Sequence, residues 1–223
     1  NQLTSLNLSG ANALTNLFCS NNQLTSLDVT NNTALPYLFC SNNQLTSLDV
    51  SNNPVLTVFV CFDNQLTSLD VTNNLALSNF RCYNNQLTSL DLHNNTALND
   101  LRCYNNQLTS LDVRNYNNEN IAVFQAQDNT NLTCIFVDDV AYSYTNWTNR
   151  DPNSTFVENE AECEALSIGE YAFELDVTIY PNPTDNYLFI EGNKNPIAVS
   201  IYYLLGAEVV TKSTTNKINV SEL

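Results

Sequence analysis

The sequence predicts a mainly β protein: a parallel solenoid over residues 1–137, a short cap over 138–163, and a small, incomplete β-sandwich over 177–223. Three observations carry this prediction. The pentapeptide Gln-Leu-Thr-Ser-Leu starts at Gln2, Gln23, Gln44, Gln65, Gln86 and Gln107, always 21 residues after the last. Each unit splits into two halves with a short stretch of period-two alternation, Leu-x-Cys in one and Leu-x-Val in the other, which reads as a strand with one face in and one out. Beyond Val177 the repeat is gone, and brief alternating runs such as Tyr187-Leu188-Phe189-Ile190 and Val199-Ser200-Ile201-Tyr202 follow one another across turn residues.

A 21-residue unit cannot bury its own apolar face, but stacked copies can. Strands in successive coils then lie ~4.8 Å apart, so the repeats extend over roughly 25–30 Å. Asparagine is the clearest compositional signal, with 39 residues of which 29 precede residue 132. They recur in register: Asn22, Asn43, Asn64, Asn85, Asn106 and Asn129 follow one half, and Asn32, Asn53, Asn74 and Asn95 follow the other. A coil turns after every strand and leaves backbone groups unpaired at each turn. A carboxamide both donates and accepts, and Asn tolerates left-handed backbone. An internal asparagine ladder closing the turns is therefore expected.

Composition narrows the function. The chain has 223 residues, 23 acidic and 7 basic, with a formal net charge of −16. That sign excludes nucleic-acid binding, which relies on Lys and Arg to displace counterions. With 43% hydrophobic residues the chain is no disordered acidic tail. No apolar run approaches the ~18 residues of a membrane span. Methionine is absent even at position 1 and no signal peptide is in view, so a longer translation product is expected.

The segments L-x-x-L-x-C-x-x-N-x-L, as in Leu35 to Leu45, resemble the conserved part of leucine-rich repeats, and the nested 21-residue form resembles the class common in secreted Bacteroidetes proteins. The resemblance covers about residues 1–137. It implies a leucine-rich-repeat solenoid and binding rather than catalysis.

Five cysteines, Cys19, Cys40, Cys61, Cys82 and Cys103, share one repeat position. Stacked thiols suit a soft metal, but the matching slot in the other half holds Leu8, Val29, Val50, Val71, Leu92 and Val113, and Ala126 takes it in the last rung. The slot therefore reads as core, with Cys as a small hydrophobe. Cys134 and Cys163 fall outside this series. A disulfide between them is expected to add about 3 kcal/mol on the chain-entropy model, in an oxidising compartment. The segment Asp138 to Phe156, with Trp147, resembles the cap of similar repeat proteins, whose aromatic residues cover the last coil.

Two outward faces differ. One is uniform: Thr4 to Thr109, Ser5 to Ser110, then Asp28, Asp49, Asp70, Asp91 and Asp112. Charges ~4.8 Å apart repel by about 0.9 kcal/mol in water, so this row is expected to be solvated, screened or bridged by cations. The other face changes at each rung and supplies the candidate ligand-binding residues Phe18, Tyr37, Phe39, Val58, Val60, Phe62, Arg81, Tyr83, Arg102 and Tyr104, of types enriched at binding hot spots. A protein or glycan ligand is expected there, with sugar rings stacking on exposed aromatics. The alternative is that the aromatics stack on one another and stiffen the sheet. No catalytic set, phosphate loop or metal-spaced His cluster occurs, so no enzyme activity and no cofactor are expected; the only histidine, His93, stands where other copies have Ser or Thr. A structural surface component bridged along the Asp row, and more weakly an ice-binding solenoid, are the alternative functions.

Residues 164–176 read as an acidic linker. In the tail, Tyr180-Pro181-Asn182-Pro183-Thr184, then Ile201 to Gly206 and Ile218 to Leu223, resemble the type A C-terminal sorting domain of the type IX secretion system. That resemblance implies handling by the type IX translocon and sortase, removal of the tail within the linker, and display on the outer surface of a Gram-negative bacterium. The family pattern continues with a further strand, so the domain is expected to be incomplete at Leu223.

Overall fold

A computed structural model describes residues 1–167 and, beyond them, the strand backbones at 177–180, 187–192, 199–202, 208–213 and 217–219. The chain divides into two compact units, Asn1–Ser167 and Ile168–Leu223.

The first unit is the solenoid. Its strands in chain order are β1 Asn16–Phe18, β2 Tyr37–Phe39, β3 Val58–Val60, β4 Asn79–Arg81, β5 Ser89–Asp91, β6 Asp100–Arg102, β7 Ser110–Asp112, β8 Val123–Gln125, β9 Cys134–Phe136 and β10 Thr155–Val157. One parallel sheet runs β1-β2-β3-β4-β6-β8 and a second runs β10-β9-β7-β5. Register advances by one 21-residue repeat per rung, pairing Leu17 with Leu38, Leu38 with Phe59, Phe59 with Phe80 and Phe80 with Leu101. These central residues point inward and meet Leu24, Leu35, Leu45, Leu56 and their equivalents in one continuous core.

The first sheet forms a strand at every expected rung, with the central residue of each strand buried. The second does not: residues 26–28, 47–49 and 68–70 have the same sequence pattern as β5 and β7 but form no strand. Strand pairing on that side starts at the cap, where β9 and β10 extend the ladder, and reaches back only to β5. Earlier rungs are joined by single bonds such as Gln44 N–H to the Leu24 carbonyl, 2.8 Å.

The asparagine ladder is present at both turns. Asn43 donates to the carbonyls of Cys19 in the preceding rung and Cys40 in its own, both at 3.0 Å, while its Oδ1 accepts the Leu24 N–H at 3.0 Å. Asn64, Asn85, Asn106 and Asn129 repeat this pattern. The residue before each, and before the equivalent Asn22, is left-handed: Asn21, Asn42, Asp63, Asn84, Asn105 and Asp128 have φ between 51° and 58°. Asn and Asp populate that region more readily than other side chains. In the second file, Asn53 donates to the Val29 and Asn32 carbonyls, Asn74 to Val50 and Asn53, and Asn95 to Val71 and Asn74.

The cap closes the C-terminal end. Helix α1, Val140–Asn146, starts at Asp139, whose side chain accepts the Tyr142 N–H. Its far end delivers Trp147, which stacks on Phe124 at 4.3 Å and meets Phe156 edge-on at 5.9 Å. Helix α2, Glu160–Ser167, carries Cys163, which is bonded to Cys134 in β9. Residues 164–167, read as the start of the linker, complete this helix and fall within the first unit. The remaining linker residues lie outside those described.

In the second unit β11 Val177–Tyr180, β12 Tyr187–Gly192 and β15 Lys217–Asn219 form one antiparallel sheet, and β13 Val199–Tyr202 pairs with β14 Glu208–Ser213. Both sheets are antiparallel, and their strands fall on the alternating runs of the sequence.

Two predictions follow from the core. Replacing Asn64 by Asp removes both donors and sets a carboxylate against two carbonyls, so Asn64→Asp should cost about 3 kcal/mol or more in urea unfolding. The same change at exposed Asn52 should stay within about 0.5 kcal/mol. The five ladder cysteines are buried, and burial pushes the Cys61 thiol well above its ordinary value and Cys19 up to about 11. A thiol reagent should find none of them in the native protein, and five after denaturation without reductant.

Candidate functional site

The candidate site is the outer face of the six-stranded sheet. Parallel in-register pairing sorts its side chains into files. One file reads Asn16, Tyr37, Val58, Asn79, Asp100, Val123, and the next Phe18, Phe39, Val60, Arg81, Arg102, Gln125. A third follows just past the inward cysteines: Ser20, Ser41, Phe62, Tyr83, Tyr104, Gln127. The face changes character along the axis, from largely apolar and aromatic at β1–β3 to tyrosine and arginine at β4 and β6.

Its aromatic residues stack on one another, except Tyr37, whose neighbours in the file are Asn16 and Val58. Phe18 and Phe39 lie 4.9 Å apart, Phe62 and Tyr83 4.3 Å, and Tyr83 and Tyr104 4.4 Å, the last two pairs within 9° of parallel. Rung spacing is close to ring-stacking distance, so the repeat itself produces the stack. The ring faces within the stack are occupied, and the Phe62–Tyr83–Tyr104 file presents edges to solvent. Burial and the neighbouring Tyr104 raise the Tyr83 hydroxyl above its ordinary pKa. Phe18 is 70% exposed and Tyr37 41%. Val58 is half-buried. Val60 departs from expectation: it is buried, because its short side chain lies between Phe39 and Arg81 in the same file.

The arginines are held by a residue absent from the expected set. Asp100 is buried and accepts from Arg81 Nη2 at 2.6 Å and from Arg102 Nε at 2.8 Å. Its hydrogen bonds hold the Arg102 guanidinium above its ordinary pKa. One carboxylate thus fixes two guanidinium groups beside the tyrosine stack and leaves one positive charge in excess. The alternation did mark Asp100 as outward; nothing in the sequence marked it as covered.

On the uniform face each Asp closes its own turn. Asp28, Asp49, Asp70, Asp91 and Asp112 accept the backbone N–H two residues on, at 2.9–3.1 Å. The hydroxyls of Thr30, Ser51 and Thr72 lower the carboxyl pKa of Asp28, Asp49 and Asp70. His93 replaces that hydroxyl and meets Asp91 at 2.7 Å. Among the described residues no group of three or more His, Cys, Asp or Glu is arranged to hold a metal ion. Of the sorting motif, Tyr180 ends β11, while Pro181, Asn182 and Pro183 lie outside the described residues.

Comparison with known proteins bears on both units. The chain matches a leucine-rich-repeat protein of Leptospira interrogans at 22% identity and TM-score 0.50, covering 70% of this chain and 41% of that one. The first unit has the leucine-rich-repeat solenoid fold. Other matches are the functional domain of InlJ from Listeria monocytogenes, described as including a cysteine ladder (35% identity, TM-score 0.45, 61% of this chain and 37% of that one), and an internalin of the same species (21%, 0.46, 62% and 46%). The chain therefore spans well under two thirds of these proteins. No curated protein matches it. Residues 178–223 match the family described as "Secretion system C-terminal sorting domain".

The tail is a secretion-system sorting domain. It is of the type IX kind and marks the chain for secretion or cell-surface display. Among the described residues no helix is long and apolar enough to cross a membrane.

Asp100→Ala should lower unfolding free energy by about 1–3 kcal/mol, less than for a fully buried pair, because Arg81 and Arg102 keep 36% and 31% of their side-chain surface in water. Asp91→Ala, at an exposed pair, should cost less than about 1 kcal/mol.

Proposed function

We propose that the solenoid is an extracellular recognition module whose six-stranded face binds a protein partner. One observation carries this reading. The rungs keep the same inward apolar slots and turn asparagines, yet the set of outward residues on β1, β2, β3, β4 and β6 changes from rung to rung and brings Phe, Tyr and Arg together on paired strands. Folding alone requires no such variety, since the opposite face repeats Thr, Ser and Asp without change. The sorting tail supports the reading by placing the module where outside partners are met.

The stacked geometry favours a protein over a glycan on this face. A pyranose docks on an open ring face, and the faces within the Phe62–Tyr83–Tyr104 file are covered by the next ring. Ring edges, tyrosine hydroxyls and fixed guanidinium groups are the groups that recur at protein hot spots.

Full-length secreted protein, bearing a photo-crosslinker beside Tyr104, should capture a discrete partner from host or neighbouring-cell surfaces. Tyr83→Ala with Tyr104→Ala should weaken that capture by about tenfold or more, with the cooperative melt retained. Equal capture by the double variant overturns the assignment.

A further inference from the structure

The last full turn of the solenoid breaks the repeat. Ten residues separate Leu92 from Cys103, but twelve separate Val113 from Ala126, so this turn is two residues longer. The extra length is not slack. Asn115 is fully buried and donates to the Asn95 carbonyl at 3.1 Å. Asn117 donates to the Leu98 carbonyl at 2.7 Å and Asn118 to Val113 at 2.8 Å. The Asp138 N–H, from the cap, donates to Asn118 Oδ1 at 2.7 Å. On this platform stands Tyr116, 95% exposed and with φ at 58°. Among the described residues, the other left-handed non-glycine positions are all Asn or Asp; an aromatic residue pays more for that conformation and here gains no packing in return.

Tyr116 bounds a groove of about 710 Å³ that runs across three successive turns. Exposed Leu75 lies on the rung at its other end, with Asn94 and Thr96 between them. The charged groups there are satisfied: Arg114 pairs with Asp112 at 2.6 Å and with Glu160 at 2.9 Å, and its remaining nitrogen donates to the Glu158 carbonyl. His93, on the same wall, meets Asp91 at 2.7 Å. The groove therefore offers an open aromatic face, an apolar wall, amide and hydroxyl groups, and paired charges in which carboxylates outnumber the guanidinium, a balance that disfavours anionic ligands. We propose that it is a saccharide-binding site for a neutral hexose chain, with one sugar ring lying on Tyr116 and its hydroxyls meeting Asn94 and Thr96. Tyr116 differs from the stacked tyrosines in the one respect that matters for a sugar: its ring faces are free.

This site is separate from the six-stranded face, so each proposal fails independently. The test is calorimetric titration of the full chain with maltohexaose, cellohexaose and mannohexaose, and with hexagalacturonate as the charged counterpart. At least one neutral hexamer should bind. Tyr116→Asn should weaken that binding about tenfold or more, the scale of losing an aromatic anchor, while melting at or above the wild-type temperature because Asn accepts the left-handed backbone. Tyr116→Phe should retain binding, and so should Tyr83→Ala with Tyr104→Ala. Absence of binding by all neutral hexamers, binding of hexagalacturonate alone, or undiminished binding by Tyr116→Asn overturns the proposal.

Discussion

Each of Asn43, Asn64, Asn85, Asn106 and Asn129 satisfies a backbone N–H and two carbonyls in the interior, and each spans two rungs. Buried backbone groups left unpaired cost more than hydrogen bonds gain, so these bonds matter chiefly for what their loss would expose. They also set the pitch. Once the carboxamide files and the parallel ladder fix one rung on the next, the side chains of successive rungs stand in register at strand spacing. The stacked aromatics, the paired Asn84–Asp63 and Asn105–Asn84 side chains, and the sharing of Asp100 between Arg81 and Arg102 all depend on that register.

A scaffold held from within leaves its outer positions free to differ. On one face that freedom is unused, because each Asp is committed to its own turn. On the other it yields a surface graded from apolar to tyrosine and arginine. Departures from the repeat are concentrated where the solenoid ends. The lengthened turn at Tyr116, the helix that brings Trp147 over Phe124, and the disulfide that ties α2 to β9 all lie within the last rung and the cap. The exposed apolar end of a solenoid has to be covered, and a cap cannot be built from another copy of the repeat.

The period, the inward slots, the asparagine files and the Cys134–Cys163 bond were legible in the sequence, because a repeat compares itself and each rung tests the reading of the others. The sorting tail was legible from its motif. What could not be read depends on distances between neighbouring rungs. Alternation placed Val60 and Asp100 outward alike, but only the sizes of Phe39, Arg81 and Arg102 beside them decide that both are covered. The missing strands at 26–28, 47–49 and 68–70 carry the same residues as β5 and β7, so their difference comes from position relative to the cap rather than from local sequence. The groove beside Tyr116 depends on three turns standing side by side, and no local motif in the sequence marks it.

The asparagine carboxamides lock successive rungs into one cooperative unit. Native-state hydrogen exchange tests it at single amides. The N–H groups of Leu24, Leu45, Leu66, Leu87 and Leu108 all donate to asparagine Oδ1 atoms. They should exchange together, only through global unfolding, and with the same dependence on denaturant. Exchange of these amides rung by rung, at rates near those of the exposed turns, would contradict the account.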